Sequence, residues 1–376
     1  MTVPDSTGLP PATGAWQAGD PSGRRQWFRP DSALRLESGG ELPGVEIAYE
    51  TWGTLNADRS NAVLVEHALT GDSHAAGDVE PGHPSPGWWG GLIGQGKALD
   101  TDELFVVVPN VLGGCQGSTG PASLAPDGRH WGSRFPHVSV RDQVAVEIAL
   151  ADALGIERWA AVLGGSMGGM RALEWAVMRP ERVRALMLLA SPAATSADQI
   201  AWAAPQIHAI LADANWRGGD YHGGGPGEGP HLGLGVARRI AHATYRSAAE
   251  LDERFGRSRQ GEDDPRFAVE SYLDHHARKL VHRFDAASYV VLTRSMNGHD
   301  VGRGRGGIGD ALSRVTARTI AVGVDSDRLY PSEQVRELAD GIPAARYAEI
   351  TSPYGHDSFL IETGQVAALV KELLDD

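Results

Sequence analysis

Trp159-Ala160-Ala161-Val162-Leu163-Gly164-Gly165-Ser166-Met167-Gly168-Gly169 is the stretch on which the reading of this chain turns. An apolar run enters it and a helical pattern leaves it. The junction therefore predicts a strand, a turn too tight for side chains, and a helix beginning near Met167. Gly164 and Gly168 flank Ser166 in the G-x-S-x-G pattern of a nucleophile elbow, which lifts a serine hydroxyl above the strand ends. The first N–H groups of the helix are free to meet an oxyanion. Glycine makes up 48 of 376 residues, so the pattern alone is a weak signal. Its place between strand and helix gives it weight.

Working outward, apolar runs recur at Ala62–Val65, Phe105–Val108, Ala185–Leu189 and Thr319–Val322. Helical patterns lie between several of them, as in Arg141–Leu154, which stops at Gly155. Continuous apolar strands alternating with helices predict an α/β chain with a mostly parallel, doubly wound sheet covered on both faces. The alternation breaks at residues 193–309, a stretch rich in Ala, Arg, His and Asp that reads as a helical lid insertion, with helices expected over Leu234–Tyr245 and Pro265–Leu280. It holds a Gly-rich loop, 218–229, whose role the sequence does not show. Strand–helix rhythm resumes with Ser332–Ala339 as helix, Arg346–Ile350 as strand and Gln365–Leu374 as the closing helix. The expected organisation is a flexible leader over 1–24, a core of 25–192 and 310–376, and the lid.

Lys plus Arg is 34 and Asp plus Glu is 48, a net charge of −14. Such a balance argues against nucleic acid or an anionic membrane as partner. The basic residues are mostly arginine, a bias with no functional reading. The one cysteine, Cys115, leaves no intrachain disulfide and favours a reducing compartment, and no apolar stretch is long enough to span a bilayer. The start of the chain lacks the apolar core of a signal peptide, so a cytoplasmic location is expected.

A serine nucleophile needs a base, and the base an orienting acid. Asp325 and Asp327 follow the strand Thr319–Val324. His356 follows the next strand in Ser352-Pro353-Tyr354-Gly355-His356-Asp357. Either would mean little alone, but Ser166, Asp327 and His356 in this order, each just past a strand end, form a coherent set. Asp327 is preferred, with Pro331 behind it ending the loop; Asp325 is expected to brace the turn. The oxyanion donors are expected to be the backbone N–H groups of Met167 and Leu69, the latter in the loop after Ala62–Val65. His67 and His74 in that loop read as structural. Gly91–Ala98 resembles a phosphate-binding loop but has Ala98 where Ser or Thr is needed. The histidines show no zinc-ligand spacing, so no metal is expected.

Beyond the triad, Tyr49–Asn56, His67–His74, Asn110–Pro121, Gly164–Gly169, Val269–Leu273 and Tyr354–Leu360 resemble the homoserine O-acetyltransferases, acyltransferases of the α/β-hydrolase fold. The resemblance runs from about Val45 to the C-terminus. It implies acetyl transfer from acetyl-CoA to L-homoserine in methionine biosynthesis, by a ping-pong route through acyl-Ser166, in a homodimer joined through the lid. Acetyl-CoA is then a co-substrate, with no permanently bound cofactor. The resemblance assigns Arg238 to the substrate carboxylate, with Arg239 as the adjacent alternative. It assigns Asp357 to the amino-acid substrate and Tyr245 to the tunnel wall. Gly298, where a larger residue would be ordinary, is the other irregularity besides the Gly-rich loop. The alternatives on this scaffold are a succinyl donor, serine or deacetylcephalosporin C as acceptor, an esterase or thioesterase that admits water, and a non-catalytic binding protein, which the intact triad disfavours.

Overall fold

A computed structural model describes residues 8–261 and 264–375. The elbow sits at the centre of an eight-stranded sheet. Its strands are β1 (Gln26–Phe28), β2 (Ile47–Trp52), β3 (Ala62–Glu66), β4 (Phe105–Pro109), β5 (Ala161–Gly165), β6 (Ala185–Leu189), β7 (Arg318–Val324) and β8 (Ala345–Ile350). The spatial order is β1-β2-β4-β3-β5-β6-β7-β8. The pairs β1–β2 and β2–β4 are antiparallel and all others parallel. The sequence reading passed over β1 and β2. It also began β5 two residues early: Trp159 makes only an isolated bridge to Val183, and the continuous strand starts at Ala161.

Alternate strand residues feed two separate cores. Leu64, Val107, Val162, Leu186, Leu188 and Ala321 point to one face. There they meet α1 (Val140–Ala153), α2 (Met167–Met178) and α9 (Ser332–Gly341), the last numbered after the lid helices given below. Val63, Val65, Val106, Leu163, Met187 and Val322 point to the other face. They meet Trp89, Leu92 and the closing helix α11 (Thr363–Asp375). At roughly 1.5–3 kcal/mol for each large apolar side chain fully buried, these two layers hold the sheet rigid beneath the site.

Strands β6 and β7 are paired neighbours, yet residues 190–317 separate them in sequence. Among the described residues this insertion carries no strand of the sheet. It is built from α3 (Ala197–Leu211), α4 (His231–Tyr245), α5 (Ala248–Phe255), α6 (Ala268–Val281) and α7 (Ala286–Asn297), with a short α8 (Ile308–Leu312) before β7; outside it, a short α10 (Ser358–Ile361) precedes α11. Its base is closed where the Val301 N–H donates to the Ala193 carbonyl and the Thr195 N–H to the His299 carbonyl.

The expected free leader differs from what is found. Residues 1–7 lie outside the described residues, and 12–17 pack against the rest of the chain while 21–24 are exposed. Thr13 Oγ1 donates to Asp285 Oδ1 at 2.8 Å, the Trp16 N–H donates to the Cys115 carbonyl, and Ala15 is buried in the lid core. The Gly-rich loop clasps this segment. The Gly227 N–H donates to the Pro10 carbonyl, and a Cβ on Gly229 would lie 1.9 Å from the Ala12 carbonyl oxygen. Pro, Gly and Ser composition suggested freedom; a buried anchor, Asp285, overrides it.

Candidate active site

Ser166 links β5 to α2 with φ 57° and ψ −123°, a conformation that costs a non-glycine residue about 1–3 kcal/mol. Close backbone crossing explains the glycines around it. A Cβ on Gly164 would meet the Gly168 carbonyl oxygen at 2.2 Å, and one on Gly168 would meet the Glu66 carbonyl oxygen at 2.1 Å. Bare backbone at both positions lets β3, β5 and α2 converge beneath the serine. The Ser166 N–H donates to the Leu189 carbonyl, which ties the elbow to β6. Its hydroxyl has no hydrogen-bond partner among the described residues.

Asp327 and His356 lie on the loops after β7 and β8. His356 Nδ1 donates to Asp327 Oδ2 at 2.7 Å, and Asp327 Oδ1 accepts from the N–H groups of Leu329 and Tyr330 at 2.8 and 3.0 Å. That fixes the carboxylate and leaves Nε2 of the imidazole for other work. Asp325 makes no contact with the ring. Its Oδ1 accepts from the Ser352 N–H at 3.0 Å and so ties the two loops together. Tyr330, Tyr245 and Phe359 surround the imidazole at centroid distances of 5.1, 5.6 and 5.6 Å. Phe359 also lies against Gly165, where a Cβ would meet its ring at 2.5 Å. One phenyl ring thus touches both the His356 ring and the residue before Ser166. Burial opposes protonation of His356, but the charge and hydrogen bond of Asp327 outweigh it. The imidazole therefore titrates above its ordinary 6.5.

The N–H groups of Leu69 and Met167 have no acceptor among the described residues, and both side chains belong to one apolar cluster beneath the lid. The loop bearing Leu69 is held by groups the sequence reading did not find. Arg171, wholly buried on α2, reaches Glu66 and Glu147, each at 2.9 Å, and donates to the His67 carbonyl at 3.0 Å. Trp175 Nε1 donates to the other Glu147 oxygen. Burial, with Glu147 alongside, raises the Glu66 carboxyl well above the usual range although Arg171 opposes it. An arginine five residues past Ser166, in a helix whose only other charge is Glu174, was the available signal.

His67 is structural here. Its Nε2 accepts from the Val111 N–H at 3.0 Å, Nδ1 donates to the Ala68 carbonyl, and burial keeps it neutral by holding its pKa well below 6.5. The fold brings Glu50, His74 and His83 together with ligand atoms within 4.8 Å, a grouping that their sequence spacing hid. Hydrogen bonds within the protein engage part of this group. His74 Nδ1 donates to Glu50 at 3.0 Å, while His83 Nε2 accepts from the Arg24 N–H at 3.1 Å. Gly91–Ala98 is turn and bend with no helix opening from it, unlike a phosphate-binding loop.

Helix α4 ends on the loop that carries His356. Ser247 Oγ donates to the Pro353 carbonyl at 2.6 Å, and a Cβ on Gly355 would meet the Tyr245 carbonyl oxygen at 2.7 Å. Arg239 turns away and pairs with Asp274 at 2.7 Å. Arg238 forms no ion pair among the described residues. Its Nε and Nη1 are enclosed with no hydrogen-bond partner, and its guanidinium lies 5.5 Å from the Tyr245 ring. Asp357 has Arg246 Nε at 3.5 Å; burial raises its carboxyl above the ordinary 3.8 against the pull of Arg246, Arg238 and His356. The sequence reading had not singled out Arg246. Gly298, the other irregularity, caps α7 at φ −84° and ψ −3°, its N–H donating to the Arg294 and Met296 carbonyls.

The sheet order, the elbow and the helical insertion define the α/β-hydrolase class, and the family described as alpha/beta hydrolase fold matches residues 61–363. A homoserine O-acetyltransferase of Thermobifida fusca is 68% identical over 375 residues, covering 98% of this chain and 99% of that protein. One from Mycobacterium tuberculosis is 53% identical over 347 residues, 91% of each. The chain belongs to the homoserine O-acetyltransferase family. Among solved structures, the homoserine O-acetyltransferase of Bacillus anthracis superposes with a TM-score of 0.86 at 28% identity, covering 94% of this chain and 97% of that one. The esterase E22 superposes with a TM-score of 0.85 at 26% identity, covering 93% of this chain and 99% of that one.

Proposed function

We propose that this chain transfers the acetyl group of acetyl-CoA to the hydroxyl of L-homoserine, with Ser166 carrying the acetyl group between two half-reactions. In the first, His356 Nε2 takes the Ser166 proton and the alkoxide attacks the thioester carbonyl. The N–H groups of Leu69 and Met167 stabilise the tetrahedral oxyanion, and one such donor is worth about 3 kcal/mol. The C–S bond breaks, and His356 returns the proton to the coenzyme A thiolate. In the second, homoserine lies with its carboxylate on Arg238 and its ammonium near Asp357. His356 takes the hydroxyl proton, the oxygen attacks acetyl-Ser166, and the proton passes back to Ser166 as O-acetylhomoserine leaves. Asp327 holds the imidazole in the required tautomer throughout. The product is a methionine precursor.

The observation that carries the amino-acid acceptor is Arg238. A guanidinium with two enclosed, unpartnered nitrogens is costly in any fold, and a planar carboxylate repairs it bidentately. An esterase that passes acetyl groups to water has no use for it. The esterase reading rests on the neighbour E22. Purified protein given acetyl-CoA with and without L-homoserine separates the two: thiol release that depends on homoserine supports the transferase, and release that ignores it supports the esterase. Repeating the assay with succinyl-CoA fixes the donor.

The homodimer and the cytoplasmic location belong to this proposal as well. No helix among the described residues is long and apolar enough to cross a membrane. Ile200 and Trp202 on α3 and Leu232 and Val236 on α4 expose apolar surface on the lid, which supports a lid-to-lid dimer.

A further inference from the structure

We propose that a basic cavity at the C-terminal end of α6 takes the phosphorylated nucleotide end of the acyl donor. The inference rests on acetyl-CoA being that donor. The cavity, about 470 Å³, is lined by Pro84, Ser85, His275, Arg278, Lys279, His282 and Arg283. Its walls hold three fixed cations and two imidazoles and no carboxylate, in a chain whose net charge is −14. Among the described residues, Arg278, Lys279 and Arg283 enter no ion pair. Cavities elsewhere that hold cations also hold carboxylates, as the one around Arg129 and Arg134 does. Both its arginines are already paired with Asp127, and Asp220 is in its wall.

The cavity is also in the right place. Arg283 lines it and donates through Nη1 to the Thr70 carbonyl at 2.8 Å, one residue from the oxyanion donor Leu69. The next residue, Phe284, packs in the same apolar cluster as Leu69 and Met167. Arg283 therefore stands between the cavity and the oxyanion hole. A donor with its phosphates outside this wall and its thioester inside must be joined by a long, narrow, largely uncharged arm. Coenzyme A has that shape: a 3′-phosphate and a pyrophosphate at one end, the pantetheine arm, then the sulfur. Arg278 and Lys279 are exposed, so they attract the phosphates at the mouth, and the attraction weakens with salt.

Two variants test this, Arg278→Ala/Lys279→Ala and the charge reversal Arg278→Glu/Lys279→Glu; both change exposed positions and leave the triad untouched. Titration with adenosine 3′,5′-bisphosphate should show binding to the wild type, weakened about tenfold in the alanine variant and further by reversal. In steady state the KM for acetyl-CoA should rise by about the same factor with kcat nearly unchanged, while turnover of the acetyl thioester of N-acetylcysteamine, which has no nucleotide, stays at the wild-type rate. Equal nucleotide binding by all three proteins, or equal losses with both thioesters, would overturn the proposal. A wild type that releases no thiol from acetyl-CoA would sink the proposed function instead, and the nucleotide titration still decides the cavity.

Discussion

Asp327 carries two duties that one substitution separates. Its Oδ2 holds the His356 proton and its charge raises the imidazole pKa; its Oδ1 holds the loop through Leu329 and Tyr330. As the proposed base, His356 works only when neutral. The rate kcat/KM should therefore rise with pH through a limb that lies above the ordinary histidine value of 6.5. Asp327→Asn keeps the shape and loses the charge. The limb should move to lower pH, because burial is then opposed only by the charge of Asp357, and kcat should drop by roughly 10⁴-fold. A pH–rate profile of both proteins checks this, and an unmoved limb would detach Asp327 from His356. The same pair bears on stability. A group whose pKa is raised by folding stabilises the fold fully below its unfolded pKa and loses that contribution as pH rises through the folded value. The His356–Asp327 pair thus favours the fold on the acid side. Arg238→Ala makes a different prediction. It should raise the KM for homoserine by about 10–100-fold, as expected for a lost charged hydrogen bond, and leave the first half-reaction, read as the acetylation burst, near its wild-type rate.

Helix α2 does more than present Ser166, because its buried Arg171 fastens α1 and the end of β3 to the oxyanion loop. Removing one partner of such a buried network strands the others. Arg171→Met should destabilise the fold by about 3–5 kcal/mol, read by urea unfolding, and should lower kcat for both half-reactions because the Leu69 N–H loses its support. Unchanged stability would mean that Glu66 and Glu147 share a proton well enough without it. This element also shows where the sequence was legible. The parallel strands β3 to β7 were visible because burial on both faces makes them continuous apolar runs, whereas the edge strand β8 is only partly buried. The elbow was visible because its glycines answer a backbone crossing. The short antiparallel β1 and β2 were not, since Ile47–Trp52 mixes Glu50 and Thr51 into a strand whose charge is buried against His74. The Glu66–Glu147–Arg171 network was not either, since its members are far apart in sequence and meet only when β3, α1 and α2 pack. Arg238 and Asp357 came from family motifs and not from local chemistry, because nothing in a helical Arg-Arg pair says which one faces inward.

Across the whole molecule, the helical insertion has two faces with opposite demands. Its inner face is fully occupied. Leu234 and Ala237 of α4 join Leu69, Met167 and Tyr289 in one core, the segment 8–16 is clasped by the Gly-rich loop, and α4 ends on the His356 loop. Its outer face is not. Leu232 is 82% exposed, and Trp202, Val236 and Ile200 are 43%, 42% and 40% exposed on the same pair of packed helices. A large side chain on a helix that already has its apolar stripe filled gains nothing by being apolar on the other side. Large apolar side chains left exposed on this helix pair cost solubility unless another surface covers them. A second copy of the chain meets the requirement with a self-complementary patch, the common arrangement for soluble homo-oligomers. Leu232→Asp combined with Trp202→Glu places charges into that patch from both copies. Sedimentation should then show a dimer for the wild type and a monomer for the variant at micromolar concentration. Because the inner face is untouched, thiol release from acetyl-CoA should survive in the monomer, with thermal stability lowered and dependent on concentration only in the wild type. A wild type that sediments as a monomer, or a variant that stays dimeric, would move the interface off the lid. Loss of activity on dissociation would mean that the clasped lid needs its neighbour to hold water away from acetyl-Ser166.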